Sequence, residues 1–144
     1  MPSHILVPID ESEQSDAALK FALSEYPEIP ITALHIIDPA DIQGGVALES
    51  VSPESYENLQ AQQEDAAEQI LADAMKQADQ HERTIDTEQM IGTVTHSIIE
   101  FADGHDADQI IIGSHGRTGA SRILLGSVAE KVTRRSPVPV TIVH

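Results

Sequence analysis

The stretch ADQIIIGSHGRTGASRILLGSV, Ala107 to Val128, decides how this chain is read. Its opening, Ala107 to Gly113, is apolar and β-branched without polar alternation, the pattern of a strand buried on both faces of a sheet. Glycines then fall at 113, 116, 119 and 126, and Ser127 to Arg135 predicts a helix. A buried strand that passes through a glycine-rich segment into a helix is the repeating unit of a parallel sheet with helical crossovers.

The flanking sequence repeats that unit. HILVPID (His4 to Asp10) and PITALHIID (Pro30 to Asp38) read as two more strands of the buried type. Between them, Ser12 is placed to cap a helix carrying Ala18, Leu19, Ala22, Leu23 and Tyr26 at helical spacing, which stops at Pro27. Pro39 to Val51 contains Gly44-Gly45 and no sustained periodicity, so a flexible surface connection is expected there. Ser52-Pro53 supplies a cap and a first-turn proline for a long helix with Tyr56, Leu59, Ala67, Ile70, Leu71, Ala74 and Ala78 along one stripe. Thr84 to Ile91 predicts a third strand, whose stronger alternation indicates a partly exposed face or an edge position; Gly92 ends it. Val94, Ile98, Phe101 and Ala102 form the buried face of a third helix. The closing PVPVTIVH is a fifth strand in which Pro137 and Pro139 lack ladder donors, so it begins at an edge or reaches a partner chain.

This alternation predicts one domain over residues 1–144, an open doubly wound five-stranded parallel sheet with helices on both faces. Ligands of such folds sit outside the carboxyl ends of the strands, where strand order reverses, and Asp10, Asp38 and Gly113 fall at carboxyl ends.

Composition narrows the partners. The chain has 24 acidic against 8 basic residues and a formal net charge of −16, a field that repels nucleic-acid backbones, so no nucleic-acid partner is expected. No apolar run approaches the roughly 20 residues of a membrane span and Met1-Pro2-Ser3-His4 does not resemble a leader, so a cytoplasmic protein without a membrane partner is expected. There is no cysteine, and the seven histidines are scattered, so no metal centre is expected from them. Against this acidic background, five of the eight basic residues lie between Arg117 and Arg135.

Glycines directly after a strand bring main-chain N–H groups close to a ligand, and a glycine just before a helix leaves the helix's first N–H groups accessible. Aligned peptide dipoles add roughly half a positive charge there, and Ser127 adds a hydroxyl donor. Such a segment cradles phosphate without a lysine. Neither G-x-x-x-x-G-K-[ST] nor a G-x-G-x-x-G after the first strand is present, which removes the Walker ATPase and dinucleotide dehydrogenase readings.

Gly113, Gly116, Gly126 and Ser127 complete G-x2-G-x9-G-[ST], and with ILVPID, HIID, ADQIIIGSHGRTG and SPVPVTIV the chain resembles the universal stress protein family in its ATP-binding branch along its whole length. The resemblance implies a Rossmann-like fold of the adenine nucleotide alpha hydrolase type, ATP as ligand, with or without Mg2+, and a homodimer through the final strand. It implies that Pro8, Ile9 and Asp10 lie beside the adenosine, that Ile36 contacts adenine, and that Ile112 and Gly113 line the nucleoside side. His115 and Gly116 would form the phosphate approach, with Arg117 beside them, and Gly126, Ser127 and Val128 would hold the phosphates. Other readings of single residues stay open: Asp10 as a helix cap, Arg117 and Arg122 as solvated charges, and Lys131, Arg134 and Arg135 as complements of a helix dipole.

The reading is of a nucleotide-dependent regulatory protein in the stress response. A slow ATPase or nucleotidyl-type enzyme, with Asp10 and Asp38 holding Mg2+, is one alternative, and an interaction module without nucleotide is another. No residue of the glycine segment is placed to orient an attacking water, so at most slow hydrolysis is expected. The acidity, with few lysines and only 3% aromatic residues, is similar to that of proteins from salt-loving organisms, where about 1 M salt shortens the Debye length to about 3 Å. Resistance to thermal unfolding is therefore expected to rise with KCl; equal melting temperatures in dilute and in molar KCl would contradict a halophilic origin.

Overall fold

The computed structural model describes residues 2–40, 52–114 and 125–144. From residue 41 on, the connection expected at Pro39 to Val51 lies outside them. Five strands, β1 (Ile5–Pro8), β2 (Ile31–Ile37), β3 (Asp86–Ile91), β4 (Gln109–Gly113) and β5 (Val140–Val143), form one sheet in the order β3-β2-β1-β4-β5, every pair parallel. The described helices are α1 (Glu13–Glu25), α2 (Pro53–Gln80), α3 (Val94–Gly104) and α4 (Ser127–Arg135).

Alternation along the strands divides the core in two. Ile5, Val7, Ile31, Ala33 and Ile111 face α1 and α2, meeting Leu19, Leu23, Ala74 and Ala78. Leu6, Leu34, Ile110 and Ile112 face α3 and α4, meeting Ile98, Phe101, Ala129 and Val132. Each large side chain so buried contributes about 1.5–3 kcal/mol relative to exposure. The doubly wound architecture expected from the sequence is thus the one adopted.

Local chemistry sets the element ends. Ser12 and Ser52 cap α1 and α2 by accepting from the Ser15 and Ser55 N–H groups, each at 3.1 Å, and Pro53 stands in the first turn of α2. α2 and α3 terminate without a glycine in the left-handed position: Glu82 (φ 57°) and Asp106 (φ 54°) adopt it instead. The strands are shorter than the apolar runs that announce them. β5 begins only at Val140, because Pro139 has no N–H to give, although its carbonyl accepts from the Ile110 N–H at 2.9 Å. Both edge expectations hold, with β3 at one border of the sheet and β5 at the other. Among the described residues, no helix is long and apolar enough to cross a membrane.

At the amino end of the sheet Asp108 clamps the start of the chain. Its carboxylate accepts from the Ser3 N–H (2.7 Å), the Ser3 hydroxyl (2.8 Å) and the His4 N–H (3.1 Å). The Ser3 N–H, foremost among these, holds the Asp108 carboxyl below its usual range. A carboxylate with a depressed folded-state pKa adds stability above its unfolded pKa, and that stability is lost as pH falls through the folded value. Asp108→Ala is expected to lower the melting temperature at neutral pH, with the difference from the parent shrinking as pH drops below about 4; a difference independent of pH would contradict the clamp.

Candidate functional site

Strand order reverses at β1, whose neighbours β2 and β4 are reached by crossovers running in opposite directions. The β1–β4 ladder holds two residue pairs, Ile5 with Gln109 and Leu6 with Ile110, while β1–β2 and β4–β5 each hold four. Beyond Leu6 and Ile110 the two strands are no longer laddered. The next donor in line on β1 would be Pro8, which has no N–H, and the carboxyl ends, Pro8 and Ile9 on one side and Ile112 and Gly113 on the other, lie beyond the last rung.

Asp10 follows at the end of β1 and organises the entry to α1. Its main-chain N–H donates to the Ser15 hydroxyl at 2.9 Å, and its Oδ1 accepts from the Ser12 N–H at 2.7 Å. Asp10 therefore does not cap α1 directly; it folds the turn that presents Ser12, and Ser12 is the cap. Nearby, the carboxyl of Asp16 is held above its usual range, first by burial and then by the negative charges of Asp10, Asp73 and Glu13. This flank of the site is electrostatically hostile to an anion.

Gly113 has a packing reason that its sequence context does not show. A Cβ there would lie 2.7 Å from the Gln14 carbonyl carbon and 2.8 Å from its oxygen, so α1 crosses β4 at a distance only glycine permits. The next residue, Ser114, is 1% exposed; its N–H donates to the Val143 carbonyl at 2.8 Å and its carbonyl accepts from the Gly126 N–H at 2.6 Å. The start of α4 is thereby pinned to the end of β4. His115, Gly116, Arg117 and Arg122 fall outside the described residues.

Gly126 is the N-cap of α4, with φ −65° and ψ 155°, a conformation open to any residue. Its contribution is the missing side chain: no side-chain cap bonds the first turn, and the first intrahelical bond runs from the Glu130 N–H to the Gly126 carbonyl at 2.9 Å. The N–H groups of Ser127, Val128 and Ala129 precede that bond and have no carbonyl within the helix. Ser127 is exposed, and Val128 is half-buried against the core of its face. Lys131 stands mid-helix, and the two arginines of α4 lie at its far end. Arg134 and Arg135 occupy its last turn, and Arg134 pairs with Glu130 at 2.9 Å. At 1.5 Å per residue they sit about 10 Å along the axis from the open N–H groups, where they complement the carboxyl-end dipole.

The sequence profile described as the universal stress protein family matches residues 1–144. The chain belongs to that family. It is 33% identical over 141 residues to the universal stress protein MJ0531 of Methanocaldococcus jannaschii, covering 96% of this chain and 80% of that one. To MJ0577 of the same organism it is 32% identical over 154 residues, covering 99% and 95%. The solved structure of MJ0577 superposes with a TM-score of 0.81 over 98% of this chain and 94% of that chain, at 29% identity in the structural alignment. At the level of the fold, with 23% identity and a TM-score of 0.67 over 97% of this chain and 96% of the other, it resembles the universal stress protein of Archaeoglobus fulgidus in complex with dAMP.

Within this universal stress protein fold, the described residues put Pro8, Ile9, Asp10, Ile112, Gly113, Gly126, Ser127 and Val128 at the carboxyl ends of β1 and β4 and the start of α4. Ile36 is on β2, next to β1, and is buried. Asp38 follows β2, where Oδ1 accepts from the Ala40 N–H at 2.9 Å. One residue of the site went unassigned in the sequence reading: His35, whose Nδ1 lies 2.8 Å from the Ile9 carbonyl. A buried histidine in an otherwise apolar strand was the available signal.

Proposed function

We propose that this chain binds an adenine nucleotide, ATP in the first instance, and acts as a nucleotide-dependent regulatory protein. The observation that carries the reading is the first turn of α4, without a side-chain cap and held by the Ser114–Gly126 hydrogen bond to the carboxyl end of β4. Main-chain N–H groups and the helix dipole there offer positive potential to phosphate without a side-chain cation. In this arrangement the adenosine lies between the ends of β1 and β4. Pro8, Ile9, Ile36 and Ile112 supply apolar walls, Asp10 lies near the ribose or base, and Gly126, Ser127 and Val128 receive the phosphates. His115, Gly116 and Arg117 extend the phosphate approach. The dAMP complex of the Archaeoglobus relative supports an adenine nucleotide on this fold.

Metal chemistry is not required by the reading. Asp10 Oδ1 is engaged by the Ser12 N–H and Asp38 Oδ1 by the Ala40 N–H, so each carboxylate already serves its own turn. If Mg2+ accompanies ATP, its ligands come chiefly from the phosphates and water.

The reading includes a homodimer. β5 is an edge strand whose four residues are all half-buried, and its Val140 and Ile142 main-chain groups point away from β4. Pairing with a second copy across a two-fold axis would satisfy both the edge and its apolar side chains.

Calorimetric titration with ATP tests the central part. The parent protein is expected to bind ATP, Ser127→Ala to lose about 1 to 2 kcal/mol of affinity, and Gly126→Val to lose more. Valine fits the backbone of position 126 without strain, so melting temperatures are expected to stay close to the parent's. Wild-type affinity in both variants would refute the phosphate site, and a monomer by light scattering in high salt would refute the dimer.

A further inference from the structure

The β1–β2 ladder runs from Ile5 opposite Ile31 to Pro8 opposite Leu34, and one more rung follows, the Ile9 N–H donating to the Leu34 carbonyl at 2.8 Å. In a parallel ladder the next donor in line for the Ile9 carbonyl is the Ile36 N–H. Among the described residues that rung is not made. The Ile9 carbonyl is met instead by His35 Nδ1 at 2.8 Å. Since a carbonyl only accepts, Nδ1 carries the proton. His35 is 7% exposed, so this bond is shielded from competing water.

The consequence falls on Ile36. Main-chain groups alternate along a strand: Leu34 faces β1, as its bond from Ile9 shows, and Ile37 faces β3, where its carbonyl accepts from the Gly92 N–H at 2.9 Å. The N–H and carbonyl of Ile36 therefore face β1 at the level where the ladder has ended. Had the sheet continued, Ile9 would have consumed the donor.

We propose that His35 is a positioning residue for the nucleobase: by taking the Ile9 carbonyl, its imidazole keeps the Ile36 N–H available as a donor beside the carbonyl of the same residue. The inference rests on the adenine reading for the identity of the ligand. A donor beside an acceptor matches the Watson–Crick edge of adenine, where N1 accepts and the N6 amino group donates. Guanine presents the reverse, a donor at N1 and an acceptor at O6, and leaves two buried polar groups facing like partners. His35 thereby sets selectivity as well as affinity, without touching the ligand.

Two substitutions and two measurements test this. His35→Leu fills the space without a donor, and His35→Asn restores an N–H near the position of Nδ1. ATP and GTP affinities are read by calorimetry, and exchange of the Ile36 amide is read by NMR on the nucleotide-free protein. The parent is expected to prefer ATP and to show an Ile36 amide that exchanges faster than those of Leu34 and the other laddered β2 residues. His35→Leu is expected to bind ATP about tenfold more weakly, as for loss of one buried hydrogen bond, with a narrower preference over GTP and a slowed Ile36 amide. His35→Asn is expected to match the parent in all three. A folded His35→Leu protein with parental affinity, preference and exchange would overturn the proposal. So would a folded His35→Asn protein that loses the ATP preference, which decides the matter if the leucine variant does not fold. The exchange measurement needs no nucleotide, so it separates a failure of His35 from a failure of the nucleotide reading.

Discussion

The early end of the ladder between β1 and β4 is the constraint on which the rest of this molecule depends. Two residue pairs, Ile5 with Gln109 and Leu6 with Ile110, join the central strands, and the ladder stops there because the next donor in line on β1 would be Pro8, which has no N–H. The crossover from β1 to β2 and the one from β3 to β4 run in opposite directions, so strand order reverses at this point. Three local devices hold it in shape. Asp10 and Ser15 turn the chain into α1, Gly113 lets α1 cross directly over β4, and the Ser114–Gly126 bond fixes the start of α4. Each device acts on the main chain, so the site is set by backbone geometry more than by its side chains.

That economy bears on how so acidic a chain would accommodate the anion of the proposed reading. Burial, with the negative charges of Asp10, Asp73 and Glu13 adding to it, holds the Asp16 carboxyl on the α1 side above its usual range, and the two arginines of α4 stand in its last turn. In the proposed reading the N–H groups at the start of α4 would contact the phosphates directly, at a range where distant carboxylates compete weakly. In the proposed reading this is why three N–H groups at the start of α4 suffice where a long-range basic field is absent.

Much of the architecture was legible in the sequence, and the reasons are physical. Unbroken isoleucine and valine runs announced the buried strands, alternation left β3 with a partly exposed face or an edge, and Pro137 with Pro139 had β5 begin at an edge or reach a partner chain; β3 and β5 are the two borders of the sheet. Ser12 and Ser52 marked their helix starts correctly because capping is decided within three residues. What depended on contacts between distant segments was not legible. Gly113 gave no sign that α1 packs so closely over it that a Cβ would meet the Gln14 backbone. Asp108 gave no sign that it holds Ser3 and His4. Nor did His35 announce its bond to Ile9, since its partner is a carbonyl on another strand. Helix ends were obscured for a different reason: Glu82 and Asp106 take the left-handed position that glycine usually marks.

The central claim, that main-chain N–H groups at the start of α4 hold the phosphates, is tested most directly by amide NMR during separate titrations with ATP and with adenosine. The account expects ATP to shift the Ser127, Val128 and Ala129 amide resonances strongly and adenosine to leave them nearly still while both perturb Ile9 and Ile112. Saturation with ATP that leaves the three α4 amides unmoved would contradict it.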